Sequence, residues 1–172
     1  MESTFKTKYL ILTGLFAALT AIGAYIHIPF PTVPITLQIF FALMAGGLLG
    51  KKYGFLSQVI YVLIGAIGLP VFAGGTGGIG ILFGPTGGYI FGFLAAGYIA
   101  GIGKQKFLNK SLYMILGLVA IYVLGVSGLI IFAGLEFLPA VTTGVTPFIV
   151  GDLIKVFLAA YLSVKLSNYV EL

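Results

Sequence analysis

Residues 146–162 read TPFIVGDLIKVFLAAYL, an apolar run interrupted in its middle by Asp152 and Lys155. As a helix rising 1.5 Å per residue, such a run covers most of the ~30 Å hydrocarbon core of a bilayer. Each ion at the centre of a spanning helix costs about 2.5–3.5 kcal/mol on insertion scales. The two positions are i and i+3, which share a helix face. Either the ions pair with each other to lower their joint burial cost, or they serve a ligand. Pairing alone is a poor reason to keep them, because replacing a buried pair with apolar groups is often neutral or stabilising. An intramembrane ionisable pair therefore marks a candidate functional site.

The whole chain shares the character of that stretch. Of 172 residues, 60% are hydrophobic and 8% charged, and the mean hydropathy is +1.18. Soluble domains carry about 25% charged residues, so this composition belongs to an integral membrane protein, expected as one helical domain over 1–172. The net charge of +5 comes from nine basic residues, all lysine. Without arginine there are no planar forks for bases or phosphates, which argues against nucleic acid. The absence of cysteine excludes disulfides and thiolate metal sites, and one His with four acids makes a protein-built metal centre a poor expectation. The N-terminal run 9–26 is longer than a signal-peptide core of about 7–15 residues and has no A-x-A site after it. It reads as a retained first helix.

Apolar runs predict six spans, at about 8–28, 35–50, 54–69, 85–103, 112–134 and 147–166. Pro29, Pro31 and Pro34 mark the first turn, Lys51-Lys52 the second, and Pro85 the opening of the fourth helix, consistent with proline at a first helical position. Lys6, Lys8, Lys51, Lys52, Lys104, Lys106, Lys110 and Lys165 all fall on one side of such a bundle. The opposite loops, about 29–34, 70–84 and 135–146, have no lysine. The positive-inside rule then puts both termini in the cytoplasm. In that orientation Asp152 and Lys155 lie roughly 8 Å and 13 Å below the outer end of the last helix at 1.5 Å per residue.

The loop LPVFAGGTGGIGILFGPTGGY, 69–89, lies on the same outer side. Its glycines permit close backbone approach to a ligand. Val71, Phe72, Ile79, Ile81, Leu82 and Phe83 are unlike a flexible linker and predict a lid packed into the bundle mouth. Gly75, Gly77 and Gly80 satisfy G-x-G-x-x-G without the βαβ setting that gives the pattern meaning. GIGKQ at 101–105 lacks the first glycine (Tyr98) and the Ser/Thr (Gln105) of a P-loop, so no ATP-hydrolysing machinery is expected. Tyr25, Tyr89 and Tyr169 fall near predicted interfaces, Tyr89 also in the mouth, while His27 and Glu136 read as interface and solvated residues. In the first helix, Gly14/Ala18 and Ala17/Ala21 form small-xxx-small pairs, suited to close helix packing inside the bundle or against a partner.

VPITLQ (33–38), LMAGGLLGKKYG (43–54), GLPVFAGGTGG (68–78), FGPTGGY (83–89) and GDLIKV (151–156) resemble, in order and along the whole chain, the BioY family. These are the biotin-specific substrate-binding subunits of energy-coupling-factor transporters. The resemblance implies a six-helix protein of the bacterial cell membrane that captures biotin from outside. Uptake is then driven by a transmembrane coupling subunit and two ABC ATPases that use the ATP, with no cofactor and no catalysis on this chain. It implies a polar ligand-binding pair at Asp152 and Lys155. It also implies substrate contacts at Gln38, at Gly75, Thr76 and Gly77 of GGTGG, and at Pro85, Thr86 and Tyr89 of GPTGGY; Thr76 stands where some members carry Arg. Ala17 and Ala21 resemble the first-helix element by which these subunits dock on the coupling subunit. Rival readings are a subunit of this architecture for another small vitamin, a stand-alone proton-coupled carrier with Asp152 as relay, and a structural subunit without a ligand.

Overall fold

The computed structural model of the protein describes residues 2–29 and 32–170, with side chains over 7–29 and 32–167. Pro31 of the first predicted turn lies outside the described residues, as do the side chains of Lys6 and Tyr169. The architecture is mostly helical: α1 (Glu2–Tyr25), a short hairpin of β1 (His27–Ile28) and β2 (Ile35–Thr36), α2 (Gln38–Ala66), α3 (Ile79–Leu82), α4 (Gly87–Ala100), α5 (Phe107–Ala133), α6 (Phe137–Gly144) and α7 (Ile149–Val170). Thr7–Tyr25, Gln38–Ala66 and Phe107–Ala133 are long and apolar enough to cross a bilayer, and α6 with α7 forms a further candidate bent by 54°.

The length of α2 conceals a reversal. Gly50 has φ 77° and ψ 173°, a left-handed φ that glycine takes without a Cβ penalty. There the helix folds back, so that limb 38–49 and limb 51–66 run beside each other. Two contacts prove it. Gln38 donates a hydrogen bond to the Tyr61 hydroxyl, although 23 residues of straight helix would separate them by about 34 Å. A Cβ on Gly54 would overlap the Gly46 Cα. The predicted break at Lys51-Lys52 is thus real, and the limbs are short, about 18 Å and 24 Å at 1.5 Å per residue.

Glycine also sets the distance between α4 and α5. A Cβ at Gly92 would stand 2.7 Å from the Ile121 Cα, and one at Gly88 would overlap the Leu124 carbonyl oxygen. In lipid, where apolar burial between helices gains little, such close backbone approach is what holds them together. The connections at 50–52 and 101–106 meet at one end of the bundle. A Cβ on Gly101 would overlap the Lys51 amide nitrogen, and the buried Lys110 ammonium donates to the Gly103 carbonyl at 2.7 Å. The β hairpin, the glycine-rich segment and α6 gather at the other end.

Several boundaries differ from those the sequence predicts. α4 begins at Gly87 with Thr86 as its N-cap residue, so Pro85 precedes the helix instead of opening it. α5 takes in the second half of the KQKFLNK connection, because nothing in FLNK breaks a helix. The predicted outer loop 135–146 is largely helix α6, with Glu136 exposed just before it. On either side of the predicted 29–34 turn, two short strands pair antiparallel, His27 with Thr36 and Ile28 with Ile35.

Candidate functional site

The first limb of α2 starts where the hairpin ends, and this junction forms one wall of a cavity. The Gln38 amide donates to the Thr36 hydroxyl at 3.3 Å, while the Leu37 amide is shared between the Gly23 and Ile26 carbonyls at 3.1 and 3.3 Å. These bonds tie β2 to the end of α1. α7 supplies the opposite wall. On it Asp152, 1% exposed, and Lys155, 12% exposed, form an ion pair of 2.8 Å between Nζ and Oδ1.

Neither ion depends on the other alone. The Lys155 ammonium also donates to the Thr36 carbonyl at 2.7 Å, and the Tyr122 hydroxyl of α5 donates to Asp152 Oδ2 at 2.7 Å. A buried charge is tolerated when it is both paired and hydrogen-bonded, and here each ion meets both conditions with partners from three elements. The charges are therefore held by the fold, not merely by their spacing along α7.

The glycine-rich segment closes over this wall. Phe72 is 1% exposed and its ring fills the space at Gly65, where any Cβ would overlap it. It meets Tyr61 edge-on with centroids 5.6 Å apart. The Tyr61 hydroxyl donates to the Val71 carbonyl at 3.1 Å, the Tyr25 hydroxyl donates to the Pro70 carbonyl, and the Gly78 amide donates to the Gly65 carbonyl at 2.7 Å. Of the six apolar residues expected to anchor a lid, Phe72 and Leu82 are buried and Val71 and Ile81 half-buried, whereas Ile79 and Phe83 are exposed.

The cavity beneath this segment has a volume of about 260 Å³ and is lined by Asp152, Lys155, Tyr122 and Thr36 on its polar side. Phe72, Phe93, Phe148, Ile39, Ile81, Ile90, Val33 and Pro34 form the apolar sides. Of the residues named from the sequence, Asp152, Lys155, Gln38, Thr76, Thr86 and Tyr89 line it. Gly75, Gly77 and Pro85 are not among the lining residues. A Cβ at Gly77 would overlap the Leu69 carbonyl oxygen, and one at Gly75 would stand 3.5 Å from the Tyr25 ring, so these two glycines let the segment fold on itself. Pro85 is exposed.

Tyr89 is not an exposed interfacial tyrosine. It is 6% exposed, donates to the Gly144 carbonyl at 2.8 Å, and occupies room that Gly125 and Gly144 leave by lacking a side chain. The sequence reading placed Phe72 in the lid but missed Tyr122, Thr36, Phe93 and Phe148. A hydroxyl in the middle of the 27-residue apolar helix α5 was the signal available for Tyr122. Chemically, the cavity combines one fixed cation and one fixed anion on a single wall with aromatic and aliphatic surfaces on the others. That suits a small, mostly apolar molecule with both a hydrogen-bond donor and an acceptor or anion.

On the outer flank of α1, Gly14, Ala17, Ala18, Ala21 and Ile22 line a second, apolar groove with Tyr61, Ile64 and Val71. Ala17 forms its floor at 3% exposure; Ala21 is half-buried, and Gly14 and Ala18 are exposed. The small-residue stripe thus serves internal packing through Ala17 and an open surface through Gly14 and Ala18.

The sequence pattern of the BioY family matches residues 1–172. The chain is 47% identical over 163 residues to the "Probable biotin transporter BioY" of Pyrococcus horikoshii, spanning 95% of this chain and 98% of that protein. It is 43% identical over 164 residues to the "Biotin transporter BioY" of Thermotoga maritima, spanning 94% and 96%. In structure it is similar to the crystallised S-component for biotin from an ECF-type ABC transporter. That similarity has a TM-score of 0.88 at 30% identity, over 98% of this chain and 95% of the other.

Proposed function

The chain belongs to the BioY family, and we propose that it captures biotin from outside the cell as the substrate-specific subunit of an energy-coupling-factor transporter. The observation that carries this reading is the cavity with Asp152 and Lys155 on one wall and aromatic and aliphatic side chains on the rest. Biotin has an apolar bicycle and aliphatic chain, a ureido group with two N–H donors and a carbonyl, and a carboxylate. Asp152 accepts from a donor, and Lys155 attracts a carboxylate or donates to a carbonyl. No bond is made or broken on this chain. ATP is hydrolysed by two partner ATPases, and the conformational change this drives is transmitted through a transmembrane coupling subunit.

Calorimetric titration of the purified protein with biotin, with thiamine as competitor, tests the function; the chain has no tryptophan to report binding by fluorescence. Stoichiometric biotin binding that thiamine does not displace is expected. Heat from thiamine and none from biotin would point to a different vitamin.

In this reading the chain crosses a bacterial cell membrane six times with both termini inside. The limbs of α2 count as separate spans, and the cavity opens outward. The clustering of the lysine-bearing connections at the end away from the cavity supports that orientation. Thr76 is exposed in the lid, and the chain has no cysteine. Thr76→Cys is therefore expected to react with an impermeant maleimide added to intact cells. Labelling only after the inner face is exposed would invert the topology.

The apolar groove on α1 is the proposed docking surface for the coupling subunit, with Ala17 and Ala21 in its floor and wall. Bulk is best added at the exposed positions, because a Cβ on Gly14 meets nothing within 4 Å. Gly14→Leu with Ala18→Leu is expected to leave biotin affinity unchanged while co-purification of the coupling subunit and ATPases, and ATP-driven uptake, fall at least ten-fold, roughly 1.4 kcal/mol of lost packing. Normal assembly would place the coupling subunit on another face.

A further inference from the structure

We infer that Tyr122 is a positioning residue for the binding site, whose hydroxyl fixes the Asp152 carboxylate in the orientation that receives the ligand. The inference rests on the proposed biotin reading and assigns a role to a residue outside the Asp152–Lys155 pair. The terminal torsion of an aspartate is broad and has no sharp preferred value of its own, so partners must set the plane of the carboxylate. Lys155 holds Oδ1 at 2.8 Å and Tyr122 holds Oδ2 at 2.7 Å. One contact leaves the group free to swing; two, from α7 and α5, fix it.

An ionised carboxylate has about four acceptor sites, and two are used here. The remaining capacity lies on a side chain that lines the cavity. Tyr122 itself is placed firmly. Its neighbour Ile121 is fully buried against α4, in a gap so narrow that a Cβ at Gly92 would come within 2.7 Å of the Ile121 Cα. The backbone that carries Tyr122 therefore cannot move independently of α4. Lys155 is tied as well, since it also holds the Thr36 carbonyl at 2.7 Å, and is not free to follow a rotated carboxylate.

The test uses the full chain, and one property of the sequence makes it direct. Asp152 is its single aspartate, so protein labelled with 13C at the aspartate side-chain carboxyl gives one signal, read by infrared or NMR. In ligand-free protein, Tyr122→Phe is expected to move that signal. It is also expected to raise the Kd for biotin roughly ten- to hundred-fold, the scale for a hydrogen bond to a charged group. A fall in affinity with the signal unmoved would mean that the hydroxyl meets the ligand directly, and the positioning role would be overturned. A moved signal with affinity within about two-fold of wild type overturns it equally. Should the Phe variant yield no folded protein, 3-fluorotyrosine at position 122, in which fluorine replaces one ring hydrogen and makes the hydroxyl a stronger donor, must move the Asp152 signal; an unmoved signal ends the proposal. Wild-type protein that takes up no biotin defeats the functional reading instead, and is recognised before any variant is compared.

Discussion

Asp152→Asn and Lys155→Met are each expected to weaken biotin binding by about 2–5 kcal/mol, the scale for truncating one member of a buried, hydrogen-bonded charge pair. Much of that loss comes from the partner left behind. With Asn at 152 the Lys155 ammonium loses its counter-charge and keeps neutral acceptors, the Thr36 carbonyl among them; without Lys155, the Asp152 carboxylate, at 1% exposure, keeps the Tyr122 hydroxyl but no cation. Calorimetry on each variant, with folded yield monitored by size exclusion, measures the effect. Removing both ions strands neither, so stability is expected to recover in the double variant while affinity stays low. A double variant that binds biotin as wild type does would show that the pair serves only the fold.

Gly54→Leu is expected to abolish folding. Its Cβ would overlap the Gly46 Cα and stand 2.7 Å from the Gly97 carbonyl oxygen, with backbone on both sides and no flexible side chain to yield. Overpacking an ordinary core costs about 1–3 kcal/mol. Here two helical limbs and α4 must part, which puts the cost above the ~4–5 kcal/mol that is exceptional for a single substitution. Gly14→Leu is the control, since it adds the same bulk in open space. Detergent-extracted yield and thermal unfolding compare the two. Wild-type unfolding of Gly54→Leu would show that the limbs do not cross at that glycine.

Much of this protein was legible in its residues because membrane insertion is governed by local composition. Apolar runs gave the helical segments, lysines the end at which connections gather, and Lys51-Lys52 the place where a 29-residue helix turns back. The i, i+3 spacing placed Asp152 and Lys155 on one face, since helix geometry alone dictates that. Family motifs pointed to Gln38, Thr76, Thr86 and Tyr89, all of which line the cavity.

Other features needed the tertiary structure. A helix that is apolar all round carries no stripe to say which side faces its neighbours, so α4 and α5 could not be oriented by pattern. Their rotation is set by Gly88 and Gly92, where the backbones touch, and that rotation brings Tyr122 to Asp152. The resemblance named Gly75 and Gly77 as ligand contacts; in the structure they stand outside the cavity lining, Gly77 making room for the Leu69 carbonyl and Gly75 approaching the Tyr25 ring. The bond from Lys155 to the Thr36 carbonyl joins residues 119 apart. By itself the sequence determined that two ions would be buried together. Which groups satisfy them was decided only by packing, because hydrogen-bond partners are fixed by the approach of distant backbones, which no local periodicity encodes.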